Sequence, residues 1–425
     1  MKEWAPLEVE IYKELFRAGR TGNYDIYVVF IEQGLKLLSA NGQLGFICPH
    51  KFFNAKYGEA LRSIVADGQH LAHVVHFGDQ QVFDGATTYT CLLFLDKSPA
   101  KECRLVKVDD LSAWRASGTA AKGVVRANQL TASEWNFAVG AGASALRRVH
   151  EIKTKLGDVA HIFQGLVTGA DKVFVVPTAA VIEEELTKPF LMTGDLTAYA
   201  PPIPAAKLIF PYEIRNGKAE LIPADRLKKI YPKGWVYITE HREELMNREH
   251  GKWRHDRWYA FGRSQNLAQM EAAKLVIQVT AQRPTVLLDE CGLYMTGGGS
   301  GPFYGIRPKD AAFPIKYLLA ILNSKLFGWI VKAQSTNLRG GYIKFSKQYI
   351  ETTPIVMLGS ESANCQMISL VDSMLILHKQ LAHAKSAAQK EIIHRQIDST
   401  DKEIDQIVYE LYGLTKEEIK IVEGG

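Results

Sequence analysis

The stretch QLGFICPHKFFNAKYGEALRSIV, residues 43–65, constrains the fold more than any other. A short apolar run closes at Cys48-Pro49, two aromatics follow, and Leu61, Ile64 and Val65 then recur at helical spacing. This pattern is a buried strand feeding a helix, the repeating unit of a doubly wound sheet. Such sheets carry their nucleotide-binding loop after the first strand. Here almost nothing precedes the unit, so the expected sheet is the second half of a larger one.

Residues 7–18 suit a helix that breaks at Gly19–Asn23. Asp25 can cap a second helix through Leu38, with Ile26, Phe30, Leu37 and Leu38 on its inner face. Asn41-Gly42 then turns the chain into the strand Leu44–Cys48. Two further strands follow at Leu71–Phe77 and Thr90–Leu95, joined by GDQQVFDGATT. That loop is too short for a crossover helix, which makes the pair antiparallel. The weakly patterned residues after 98 read as a trailing strand, a linker and a helix around Ala145–Lys155. From Leu156 to Val356 short strands, glycines, prolines and scattered aromatics suit an α+β domain. Met367, Leu370, Val371, Met374 and Leu377, then Ile393, Ile397, Ile404, Val408 and Leu411, outline a helical hairpin closed by Gly413. The expected boundaries are 1–115, 116–155, 156–358 and 359–425.

The chain has 425 residues, 47% hydrophobic and 23% charged, with a net charge of +5. That excess permits a polyanionic partner without requiring one. No apolar run spans a bilayer, the start lacks a signal-peptide core, and the five cysteines include no CxxC pair. The expectation is a cytoplasmic protein without membrane, disulfide framework or zinc site.

In order and spacing, GNYDIYVVFIEQGLKLLSANGQLGFICPHKFF, LRSIV, VVHFGDQQVF and TCLLFLDK resemble the DNA adenine-N6 methyltransferases of the TaqI and Eco57I type, found in restriction–modification systems. LGDVAHIFQGLVTGADKVFVV, KPFLMTGDL, KLVIQVTAQRPTVLLDE, LLAILNSKL and NLRGGYIKFSKQYIETTPI resemble pieces of that family's C-terminal target-recognition domain. The tail EIDQIVYELYGLTKEEI is similar to its closing helix. The resemblance implies a truncated Rossmann-like methyltransferase sheet, an α+β target-recognition domain and a C-terminal helical hairpin.

That family uses an acidic-x-x-x-Gly-x-Gly turn for S-adenosylmethionine and a catalytic Asn/Asp-Pro-Pro-Tyr/Phe loop. Neither occurs here; the only Pro-Pro is Pro201-Pro202. Gly140-Ala-Gly142-Ala-Ser-Ala145 is formally G-x-G-x-x-A but reads as a helix N-terminus. The resemblance therefore implies that S-adenosylmethionine serves the complete enzyme, with no cofactor on this chain alone. It also implies an N-terminal catalytic half, supplied as a separate chain or a missing segment.

Methylating an adenine within a duplex requires flipping it out and holding both its faces. Phe83 lies in the polar loop Gln80–Gly85, where a phenylalanine is either a satellite core residue or a stacking surface. The resemblance implies stacking on the flipped adenine, with Tyr89 a lesser candidate. Contacts to double-stranded DNA need basic side chains and accessible amides on loops. Three clusters qualify: Gly165, Thr168 and Lys172; Gln282 and Arg283; and Asn337, Arg339, Gly340, Tyr342 and Lys344. Gln282 and Asn337 could read base edges. KWRHDRWYAFGRSQN, residues 252–266, interleaves basic and aromatic residues. It reads equally as a nucleic-acid surface or as core anchors with solvated arginines.

Other groupings carry less. Strand alternation sets His73 opposite His70 and His76, which argues against a shared metal. Pro302 spoils a G-x-S-x-G reading of 297–301, and no nuclease constellation stands out. The leading function is the target-recognition half of a site-specific adenine-N6 DNA methyltransferase, inactive on its own. The alternatives are a non-catalytic, sequence-specific DNA-binding subunit and a degenerate product without DNA activity.

Overall fold

The computed structural model describes residues 6–424, apart from 79, 86, 87, 109, 136, 138, 140, 141, 193–195, 205, 299–301, 311, 336, 339 and 357–360. The chain divides into two compact units: 1–151 with 332–342 and 415–425, and 152–331 with 343–414. Both mix helices and sheets. No described helix is long and apolar enough to cross a membrane.

The first unit runs through α1 (Pro6–Leu15), α2 (Tyr27–Leu37), β1 (Gln43–Pro49), α3 (Glu59–Asp67), β2 (Leu71–His76) and β3 (Thr90–Asp96). It continues with β4 (Glu102–Lys107), α4 (Leu111–Ser117), β5 (Ala121–Arg126) and α5 (Gly142–His150). The strands form one sheet in the order β1-β3-β2-β4-β5. β3 is antiparallel to both β1 and β2, as the short loop between β2 and β3 requires; β4 is parallel to β2 and β5 antiparallel to β4. The strands β1, β2 and β4 therefore point one way and end at the same edge. The sheet also continues past residue 115: β5 occupies the stretch expected to be linker.

One face of this sheet is well covered. Val28, Ile31 and Leu35 of α2 and Leu61 and Val65 of α3 pack on Cys48, Cys91, Leu93 and Leu95. The expected inner face of α2 needs correction, because Phe30 and Leu37 are 60% and 75% exposed. The helix starts at Tyr27 with no side-chain cap from Asp25. Glu32 is drawn inside instead, accepting the amides of Arg17 and Ala18 at 3.2 and 2.7 Å and pairing with Lys36 at 2.7 Å. A carboxylate so engaged is an inward-facing residue despite its charge, and it fixes the helix rotation.

The opposite face is covered unevenly. Near β4, Val75, Phe77 and Val108 form a small cluster with Leu111 and Trp114 of α4. Near β1 the strand register sets Ile47 beside Leu92 and Gly45 beside Phe94. Ile47 and Phe94 there are 46% and 38% exposed.

The second unit is built on a four-stranded antiparallel sheet, 286–289, 274–278, 303–308 and 160–164 in order. A second sheet orders 294–295, 187–191, 206–209 and 175–176. Between them lies a core that includes Phe163, Phe174, Phe190, Phe210, Val276, Tyr294 and Phe303. The helical hairpin is present as Glu361–His383 and Ala387–Leu411, with Gly413 at φ +63° ending it. Met367, Val371, Met374, Ile404 and Val408 of the expected stripe are buried.

A fully buried ion pair crosses the first of these sheets. Lys274 and Asp289 face each other in register, and the Lys274 ammonium donates to the Asp289 carboxylate and to the Met270 carbonyl. Asp289 also accepts the amides of Cys291 and Leu293 at 2.9 and 2.8 Å. Removing one partner leaves an uncompensated buried charge. Lys274→Met should cost about 3–5 kcal/mol in urea unfolding, and adding Asp289→Asn should recover part of that. A single variant as stable as the parent would contradict the pair's role.

Candidate functional site

The carboxyl edge of the first sheet is the natural place for a site, since open α/β sheets bind ligands beyond their strand ends. β1 leaves this edge at Pro49 and β2 at His76, and the chain from 77 to 89 loops over to β3. Arg62 of α3, buried, anchors the segment after β1 by donating to the carbonyls of Phe52, Ala55 and Ala132 at 2.5, 2.9 and 2.9 Å. Gly58 lets that segment close tightly, because a Cβ there would lie 2.1 Å from the Phe52 carbonyl oxygen. Phe53 is consequently buried, with its ring centroid 5.9 Å from Trp135 and 4.9 Å from Phe137.

Phe83 differs from these neighbours. It is 45% exposed and joins neither core cluster of the unit. Val82 beside it packs inward, and Gln81 Nε2 donates to the Phe83 carbonyl at 3.1 Å. Among the described residues, the satellite-core reading of Phe83 draws no support from those two clusters. Tyr89, partly buried at the far foot of the loop, lies 6.3 Å from His50.

The glycine candidate for S-adenosylmethionine leads into α5, with its first two residues outside the described ones. Gly142 opens α5, whose Ala145, Leu146 and Val149 are buried as packing residues. The described residues of 131–139 form no strand, and residues 136, 138, 140 and 141 lie outside the described residues. No cofactor chemistry is assigned to this segment.

In the second unit two residues of the first cluster are buried. Gly165 is buried; its amide donates to the Phe303 carbonyl at 3.0 Å, and a Cβ there would meet the Thr296 carbonyl oxygen at 2.5 Å. This glycine serves close packing against the Thr296 backbone, and it also lines a recess with Arg263 and Asn266. Thr168 is 1% exposed. Its hydroxyl donates to Asp171 and accepts the Ala170 amide, which commits it to a local turn. Lys172 alone of the three is exposed.

Within the second unit, Lys344 of the third cluster lies beside the strand that leads into Gln282 and Arg283, since Thr280–Ala281 pairs with Ile343 and Lys344. Gln282, Arg283, Tyr342 and Lys344 are exposed. Burial holds the Asp401 carboxyl above the usual carboxylate range, and the charges of Lys325 and Arg283 offset only part of that. Gly340 and Gly341 take φ of +81° and +75°, the left-handed turn that only glycine enters easily. Arg339 and the side chain of Asn337 lie outside the described residues.

The core-anchor reading of the basic–aromatic run of 252–266 is met by three of its aromatics. Trp258, Tyr259 and Phe261 are buried anchors. Arg248, buried, donates to the carbonyls of Thr168, Trp258 and Ala260 at 3.0, 2.7 and 2.9 Å and lies 4.2 Å from the Trp253 ring. It thereby ties this run to the 165–169 loop. Arg263, Gln265 and Asn266 line a recess of about 230 Å³ with Gln164, Gly297 and Gly298. The linear sequence gives Arg263 only as one of the arginines of the 252–266 run. Its placement depends on Arg248 and on the Arg263 amide donating to Val167 at 3.1 Å, neither visible in a linear pattern.

Two family models match the chain: the Eco57I restriction-modification methylase over residues 1–83, and the TaqI-like C-terminal specificity domain over 229–355. The chain is similar to type II restriction–modification methyltransferases. The type II restriction enzyme and methyltransferase RM.Eco57I of Escherichia coli is 24% identical over 97% of this chain and 45% of its own length. The type II methyltransferase M.BstVI of Geobacillus stearothermophilus is 25% identical, over 94% of this chain and 69% of its own. Among solved structures, the type IIL restriction-modification enzyme MmeI in complex with DNA covers 99% of this chain with a TM-score of 0.64 at 9% identity. The chain spans 54% of that structure, so it shares a fold with roughly half of MmeI.

The contrast between the two phenylalanines is testable by thermal or urea unfolding. Phe53→Ala empties a packed position and should cost about 3–5 kcal/mol. Phe83→Ala should change stability by no more than about 0.5 kcal/mol, as an exposed surface residue does. A large loss at Phe83 would return it to the core.

Proposed function

We propose that this chain is the target-recognition half of a site-specific adenine-N6 DNA methyltransferase of a restriction–modification system. It binds double-stranded DNA and offers Phe83 as one stacking face for the flipped adenine. The observation that carries this reading is Phe83 itself, an exposed aromatic at the carboxyl edge of the sheet in a chain with an Eco57I-type methylase segment. A base taken out of the stack needs a flat apolar surface. The TaqI-like specificity domain, together with exposed Lys172, Arg263, Arg283 and Lys344, supports contact with the DNA backbone.

The complement is a segment bearing the cofactor turn and the Asn-Pro-Pro-Tyr loop, to which the methyl donor S-adenosylmethionine belongs. Its place is beside β1. The outer edge of β1 pairs with no strand among the described residues, and Ile47 and Phe94 are left on the thinly covered face. Sheets of this kind are normally covered on both faces.

Reconstitution tests the reading. The chain mixed with such a complementary polypeptide should methylate adenine, while neither part does so alone. In the mixture, Phe83→Ala should lower turnover by about one to two decades, since base–aromatic stacking is worth roughly 1–3 kcal/mol. Duplex affinity should change less. A mixture that binds DNA specifically but never methylates would favour a non-catalytic recognition subunit.

Salt dependence tests the DNA face separately. Arg283→Ala with Lys344→Ala should flatten the slope of log affinity against log salt by about 2, near 0.9 per phosphate contact. An unchanged slope would make these residues ordinary surface.

A further inference from the structure

We infer that His50 and His76 form a clasp that holds both feet of the loop presenting Phe83, and so act as positioning residues for that stacking face. The functional part of this inference rests on the reading of Phe83 given above.

The geometry is compact. Gly78 is the loop's first foot, in the left-handed region at φ +56°. Its amide donates to His76 Nδ1 at 2.9 Å, and its carbonyl oxygen lies 3.2 Å from His50 Nε2. The second foot is Tyr89, whose carbonyl accepts the His50 backbone amide at 3.1 Å. His50, the first residue beyond β1, thus grips the start of the loop with its ring and the end with its main chain.

The two bonds to Gly78 dictate protonation. His76 Nδ1 must present a lone pair, so its proton sits on Nε2; His50 Nε2 must carry a proton to donate. The ring centroids lie 4.2 Å apart with the planes tilted by 34°, and Phe53 is 6.0 Å from His76 and 6.2 Å from His50. Burial pushes both imidazoles below the usual histidine range, and His50 and Lys107 push His76 further down. The titratable and charged groups facing the pair are Lys107 on β4, Cys91 opposite His76 on β3 and Tyr89.

Protonating His76 would replace the acceptor for Gly78 with a donor and set positive charge against the His50 ring. A folded pKa below the ordinary value means the neutral clasp is fully formed above the usual histidine range. It is lost as pH falls from there through the depressed value. Loop release should follow acidification.

Hydrogen–deuterium exchange of the full chain, read on peptides covering 77–89 and corrected for intrinsic rates, tests the clasp. Near pH 8, well above the histidine range, His50→Leu and His76→Leu should each speed exchange there by about tenfold, the effect of losing one or two hydrogen bonds. Exchange in α2 and α3 should not change. His50→Gln and His76→Asn, which place an amide donor and an amide oxygen where Nε2 and Nδ1 stood, should restore slow exchange. The parent should loosen at acid pH, while His76→Asn, having no proton to gain, should not.

Leucine variants with parental exchange in this loop would overturn the clasp. Should they fail to fold, parental and His76→Asn chains losing protection identically on acidification would overturn it instead. A 2-aminopurine probe at the target base of the reconstituted enzyme separates the two claims. A loosened loop with unchanged base extrusion would leave the clasp standing and remove the stacking role of Phe83.

Discussion

β1 hydrogen-bonds to β3 along one edge, and among the described residues no strand takes the other. Much of the first unit follows from that arrangement. Because β3 returns antiparallel between β1 and β2, all the parallel strands end together, and the Phe83 loop is delivered to the same edge as the turn after β1. An open edge and a half-covered apolar face are liabilities that folded chains normally cover. Their coincidence at β1, Ile47 and Phe94 supports a complementary segment there more strongly than either would alone.

The second unit solves a different problem, which is to keep loops in fixed poses. It does so with buried charge. Arg248 spends its guanidinium on four main-chain carbonyls, those of Leu245, Thr168, Trp258 and Ala260, and Lys274 with Asp289 pins neighbouring strands and the turn through Leu293. Such groups carry a desolvation penalty, so they hold only when every donor and acceptor is met. The exposed basic residues nearby owe their placement to this hidden framework.

Apolar periodicity revealed the strands, the β2–β3 pairing and the helical hairpin, because those elements bury regular stripes. It misjudged α2, where buried Glu32 breaks the rule that charge faces water. It also missed β5, whose AKGVVR sequence alternates but lacks the long apolar run expected of a sheet interior. Gly165 and Thr168 had the composition of a phosphate-binding loop, yet a glycine needed for backbone contact and one needed for a ligand look identical in sequence. The His50–His76 pair was hidden for a similar reason. Twenty-five residues separate the two, and only the return of β2 beside β3 brings the rings together.

Protection of the β1 amides tests the central claim most directly. Hydrogen exchange on a peptide covering 43–49 should show that amides facing away from β3 exchange quickly in this chain alone. They should become protected when the segment bearing the cofactor turn is added, as a new strand pairs with that edge. Unchanged exchange at β1, in a mixture that nevertheless methylates adenine, would contradict the account.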